Sequence, residues 1–167
     1  VNQYLNESFR MAFKLIKNKL SIKLVNGPIN KSSFLNKKYL GVTEYVSQKF
    51  KIKNTGMLIY NKNLSVCPMT THLPLKLVPK NITKKLLKEK IQLIHNFYKK
   101  QFGFKPKIAV TGLNPHCESI LKYNEDNEII SKVINSQKKK INVRGPFPAD
   151  TIFLKNNRKN FNVILVL

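Results

Sequence analysis

The run Phe161-Asn162-Val163-Ile164-Leu165-Val166-Leu167 is apolar at all but one position. A strand with one wet face alternates, so an almost unbroken run predicts a strand covered on both faces, as in a parallel sheet lying under helices. The rest of the chain supplies those helices. Apolar residues recur at helical spacing over residues 4–19, with Leu5, Phe9, Ala12, Phe13 and Ile16 on one stripe, and again over 83–100, with Leu86, Leu87, Ile91 and Ile94. Shorter helices are predicted near 31–35, at 43–50 and at 124–137. Strands are predicted at 22–25 and 107–111, with a hairpin pairing 57–60 and 64–69 across Asn61-Lys62-Asn63. Prolines make 72–81 and 144–150 loops in this reading. Mostly alternating β and α segments predict a three-layer α/β/α fold with a largely parallel sheet, and no separate second domain is resolved within 1–167.

Composition narrows the partners. The 167 residues carry 31 Lys+Arg against 8 Asp+Glu, a net charge of +23. Such a balance invites a nucleic-acid reading. Only Arg10, Arg144 and Arg158 are arginine, however, leaving 28 lysines spread along the chain among 20 asparagines. Base readers and bidentate phosphate clamps favour arginine, whereas a Lys and Asn excess is what an AT-rich coding sequence places on solvated faces. The expectation is therefore against a nucleic-acid partner. A hydrophobic content of 42% excludes a disordered chain. Cys67 and Cys117 form no CxxC pair and no disulfide framework, which points to a reduced, cytoplasmic setting. No apolar run reaches the roughly 18 residues of a membrane span. Val1 and the strand ending at Leu167 read as cut ends, so the fold is expected to be incomplete on both sides.

Two histidines follow predicted strands. His72 lies in Thr70-Thr71-His72-Leu73-Pro74-Leu75, and His116 in Gly112-Leu113-Asn114-Pro115-His116. Open α/β sheets bind ligands beyond the carboxyl ends of their strands, so the two imidazoles can share a metal there or simply be solvated loop residues. Asp150, in Gly145-Pro146-Phe147-Pro148-Ala149-Asp150-Thr151, suits orienting a metal or a substrate ammonium, proton transfer, or a helix N-cap. Lys31 suits a phosphate at a helix N-terminus, or is one surface lysine among many. His95, inside the 83–100 helix, reads as surface or filler.

In order and spacing, five motifs resemble the 4-hydroxythreonine-4-phosphate dehydrogenase family of pyridoxal phosphate biosynthesis: Gly27-Pro28-Ile29-Asn30-Lys31, Gly41-Val42-Thr43-Glu44, and the three that hold His72, His116 and Asp150. The resemblance implies a homodimeric oxidoreductase using NAD(P) and a divalent metal (Zn, Mg or Co), with a fold similar to isocitrate and isopropylmalate dehydrogenases. It assigns His72 and His116 as metal ligands, Asp150 to the reacting centre and Thr43 to substrate, and it puts Lys31 in a shared motif, here read as substrate-binding. The implied reaction is oxidation with decarboxylation of 4-phosphohydroxy-L-threonine. Alternatives are a related threonate or erythronate phosphate, or a decayed homologue acting as a basic polyanion-binding protein. Departures are Val42 where the family has histidine, the absence of glycine in Cys117-Glu118-Ser119-Ile120-Leu121-Lys122-Tyr123, and an end at Leu167 before the family's third metal histidine. The expectation is that this span alone is inactive.

Overall fold

A computed structural model describes residues 2–35, 38–118 and 123–167. The chain divides into two compact units, Val1–Lys53 and Asn54–Leu167.

The first unit is helical: α1 (Asn2–Lys17), α2 (Lys31–Phe34) and α3 (Val42–Lys49). Phe9 and Phe13, four residues apart on the apolar stripe of α1, are buried against Phe34 of α2 and Tyr45 of α3. The Phe9 ring stacks on Phe34 at 5.4 Å and meets Tyr45 edge-on at 5.3 Å, the two geometries that the ring quadrupole favours. The strand expected at 22–25 is absent. That segment is irregular, with Ile22 78% and Val25 93% exposed, because an apolar stretch forms a strand only where another strand takes up its hydrogen bonds.

The second unit is built on a four-stranded sheet of β1 (Ser65–Pro68), β2 (Ile108–Thr111), β3 (Val143–Phe147) and β4 (Val163–Val166) in the order β1-β4-β2-β3. Every pairing is parallel. The final apolar run is thus a central strand, with Val163, Ile164 and Leu165 fully buried, as its composition required. On one face, α5 (Lys84–Phe102) presents Leu87, Ile91, Ile94 and Tyr98 to Ile108, Val110, Val163 and Leu165. Thr83 caps α5 by accepting the Leu86 N–H, and Gly103 ends it at a left-handed φ of 76°. The same face receives a π-helical segment, Asp126–Ser131, that runs into α6 (Lys132–Gln137). On the other face Ile152 and Phe161, which flank the short α7 (Lys155–Arg158), pack on Ala109 and Ile164.

Three expectations change. The hairpin shrinks to a single antiparallel bridge, Ile59 with Val66. The 72–81 loop contains a 3-10 turn, Leu75–Leu77, and α4 (Val78–Asn81), since proline is accepted in the first turn of a helix, where its missing N–H has no partner to lose. The 144–150 loop begins as β3. Its Gly145–Pro146 peptide is cis, and the pairing shifts between Ala109↔Arg144 and Thr111↔Phe147, so β3 carries one residue more than β2. This bulge is how a strand accommodates a proline.

Candidate functional site

Parallel pairing puts the carboxyl ends of all four strands on one edge. His72 follows β1, His116 follows β2 and Asp150 follows β3. Because β4 lies between β1 and β2, the two histidine loops flank its end. The structure joins two of these groups directly: His116 Nδ1 lies 3.7 Å from Asp150 Oδ2, with side chains 72% and 57% exposed. That separation is an ion pair when the imidazole is protonated and too long for a hydrogen bond. His72 is likewise exposed. Both histidines hold left-handed backbone, φ 58° at His72 and 55° at His116, and Cys117 follows at 61°.

What holds the His116 loop is a residue the sequence did not single out. Asp126 is fully buried. Its carboxylate accepts the Leu113 N–H at 2.8 Å, the Asn114 N–H at 3.0 Å and the Asn114 side-chain amide at 2.7 Å. The amide donates also to Glu125 Oε2 at 3.2 Å. Asp126 therefore pins the loop that carries His116 to the start of the helix behind it. Gly112 makes room for this: a Cβ there would meet Cys117 Sγ at 2.6 Å and Asp126 Oδ1 at 2.7 Å. The Gly112 N–H donates to Phe147 O at 2.8 Å, tying the loop to β3. Burial, with the Asp126 carboxylate adding, pushes the Cys117 thiol up from its ordinary value, so it stays protonated. Nothing in the spacing of Asn124-Glu125-Asp126-Asn127-Glu128 marks its third member, since an acid in a first helical turn usually answers the helix dipole from the surface.

The remaining candidates lie in the first unit. Lys31 is exposed at the first residue of α2, a four-residue helix whose N-cap Asn30 already accepts the Ser33 N–H at 3.2 Å. Thr43 is half-buried at the second residue of α3. Beside it Val42 packs against the aromatic cluster of that unit, an apolar role that a histidine there would fill poorly. His95 is half-buried: its Nδ1 is buried without a hydrogen-bond partner, and burial, followed by Lys105 and Lys99, holds it below its ordinary value. Residues 119–122 of the glycine-free stretch lie outside the described residues.

Imidazole and carboxylate are the donor types a divalent transition metal takes. Among the described residues, however, no group of three His, Cys, Asp or Glu side chains stands close enough to hold an ion. The edge thus offers two imidazoles of suitable type, one with a carboxylate beside it, and an incomplete ligand set. No helix among the described residues is long and apolar enough to cross a membrane.

The profile of a family described as pyridoxal phosphate biosynthetic protein PdxA matches residues 1–167. A 4-hydroxythreonine-4-phosphate dehydrogenase of Neisseria meningitidis serogroup A is 39% identical over 133 residues, 78% of this chain and 40% of the relative. One of Sulfurihydrogenibium sp. is 34% identical over 161 residues, 93% of this chain and 49% of the relative. The chain therefore spans about half the length, or less, of the curated relatives it matches. The crystal structure of the Klebsiella pneumoniae 4-hydroxythreonine-4-phosphate dehydrogenase superposes with a TM-score of 0.79 at 25% identity, over 94% of this chain and 50% of that one. A terephthalate 1,2-cis-dihydrodiol dehydrogenase of Burkholderia xenovorans shares the fold at 16% identity and a TM-score of 0.64, over 80% of this chain and 44% of that one.

Proposed function

The chain belongs to the pyridoxal phosphate biosynthetic protein PdxA family, and on that premise we propose that it supplies part of the catalytic edge of an NAD(P)- and divalent-metal-dependent 4-hydroxythreonine-4-phosphate dehydrogenase. The observation that carries this reading is the convergence of His72, His116 and Asp150 on one sheet edge, with His116 3.7 Å from Asp150. His72 and His116 would hold the cation through imidazole nitrogens. A bound divalent cation would supply Lewis-acid polarisation of the substrate hydroxyl, and a bound NAD(P) would supply the hydride acceptor. Asp150 takes the hydroxyl proton as hydride leaves, so the alcohol loses two electrons and two hydrogens in all. The β-keto acid so formed loses carbon dioxide, and Asp150 in protonated form returns a proton to the carbon left behind. The Asp126 scaffold keeps His116 at the strand end, where its nitrogen must meet the cation without first ordering a loop. Thr43 and Lys31 are substrate contacts in this proposal on the resemblance alone.

With no group of three ligating side chains close together among the described residues, weak metal binding and no turnover are expected of this span by itself. Calorimetric titration with cobalt or zinc tests the assignment. Expected is a weak isotherm abolished by His72→Ala and by His116→Ala. Metal binding that survives both substitutions overturns the ligand assignment.

A further inference from the structure

The sheet unit has a second edge, at the amino ends of its strands, and its charge is one-sided. The six carboxylates of this unit are Glu89 in the second turn of α5, Glu118 after β2, Glu125, Asp126 and Glu128 at the start of the following helix, and Asp150 after β3. All lie on the carboxyl side, where lysines also occur. At the amino edge, among the described residues, only cations stand. In the spatial order β1-β4-β2-β3 the strands are preceded by Lys62, Lys159, Lys107 and the run Lys138-Lys139-Lys140, every one exposed.

The same edge carries aromatic rings. Tyr60, just before β1, is 55% exposed, and Phe102, the last residue of α5, and Phe104, just after it, are 39% and 44% exposed. Tyr60 and Phe102 lie nearly parallel, 18° apart with centroids 5.1 Å apart. Tyr98 packs edge-on against Phe102 and Phe104, and its hydroxyl reaches the Asn162 carbonyl at 3.5 Å, at the start of β4. Braced in this way, the rings are held by one another while part of each stays open to solvent.

We propose that the amino edge of the sheet is a binding face for single-stranded nucleic acid, with the lysines that open the four strands meeting phosphates and the Tyr60–Phe102–Phe104 cluster stacking on unpaired bases. Cations tracking a backbone beside exposed ring faces are the two elements such recognition uses, and lysine suffices because no base edge is read. An anionic membrane would answer the charge equally, but insertion needs projecting apolar side chains, and these rings are braced. The proposal is independent of catalysis, which lies on the opposite edge.

The test is fluorescence anisotropy of a labelled 20-nucleotide oligo(dT) on the full chain, titrated at several salt concentrations. With one phosphate neutralised per strand start, log affinity should fall against log salt with a slope of about −3, from roughly 0.7 per phosphate. Charge reversal of Lys138, Lys139 and Lys140 to Glu should weaken binding by at least tenfold. Reversal of Lys76, Lys80 and Lys84, which changes net charge equally on the carboxyl side, should change it less than threefold. Phe102→Ala should cost about tenfold, the loss of one stacking platform, and Tyr60→Ser, more exposed, should reproduce it if Phe102→Ala disturbs the fold by circular dichroism. Equal losses from the two lysine reversals mean bulk charge and overturn the proposal. So do absence of binding, equal affinity for duplex DNA of the same length, and binding to phosphatidylserine vesicles without binding to the oligonucleotide.

Discussion

Replacing Asp126 by alanine should be among the most damaging single substitutions outside the apolar core. The carboxylate is fully buried and accepts three hydrogen bonds, at 2.8, 3.0 and 2.7 Å. A hydrogen bond to a charged group contributes about 1.5–3 kcal/mol net, so a simple sum would exceed 4 kcal/mol. Two effects reduce it: alanine no longer buries a charge, and Asn114 keeps its contact to Glu125 Oε2 at 3.2 Å. We expect Asp126→Ala to cost about 3–4 kcal/mol in urea unfolding. Asp126→Asn, which keeps one acceptor oxygen and turns an NH2 toward a donor, should cost about 2 kcal/mol. Because the bonds are local, amide hydrogen exchange locates the effect. The Leu113 and Asn114 amides should exchange roughly 100-fold faster in Asp126→Ala, while amides of α5 should change only with global stability. Unchanged exchange at Leu113 and Asn114, or a stability loss below about 1 kcal/mol, would refute Asp126 as the pin of the His116 loop.

Other substitutions test separate parts of the structure. His116→Gly relieves a left-handed residue at φ 55° and should raise stability by up to about 1 kcal/mol in the same assay, since the exposed pairing with Asp150 contributes little; a loss instead would mean that the loop depends on the imidazole. Gly145→Ala, at φ 141° with its Cβ 2.4 Å from Val110 O, should lower stability by about 3 kcal/mol, and a thermal midpoint within 2 °C of the parent on the ~1 kcal/mol scale would contradict the packing of the β3 bulge. His95 is held below 6.5 in the folded chain, so the unfolded chain binds more protons just below that value and stability should fall as pH drops from 7.5 to 5.5. His95→Leu should flatten that slope, and an unaltered slope would place the titrating group elsewhere.

Much of the fold was legible because it rests on periodicity. The α5 stripe and the two-sided burial of β4 follow from residue order alone, and both appear where the pattern places them. Two predictions failed for the same reason, that a strand is a relation between segments. Ile22 and Val25 have the composition of a strand and no partner, whereas the proline-broken β3 is a strand because β2 pairs with it around a bulge. Within the site, His72, His116 and Asp150 were legible as loop residues after strands. Asp126 was not, because its role depends on two backbone amides whose direction only the folded loop decides.

In the catalytic proposal, that division separates the groups assigned chemistry from the group that positions them. The histidines at the edge are exposed and sit at backbone angles that disfavour any residue with a Cβ, at about 1–2 kcal/mol each. Glycine or asparagine would occupy such positions at lower cost, and both are available to a chain that uses asparagine freely. Imidazoles at strained, solvated positions lie outside the apolar core, and in the catalytic proposal their place at the edge follows from what the rings would bind. Asp126 shows the opposite balance: wholly buried, without access to a ligand, it removes the disorder that the strained loop would otherwise have. The catalytic proposal therefore depends on both together, and loss of the buried carboxylate should weaken metal binding at His116 even with both imidazoles intact.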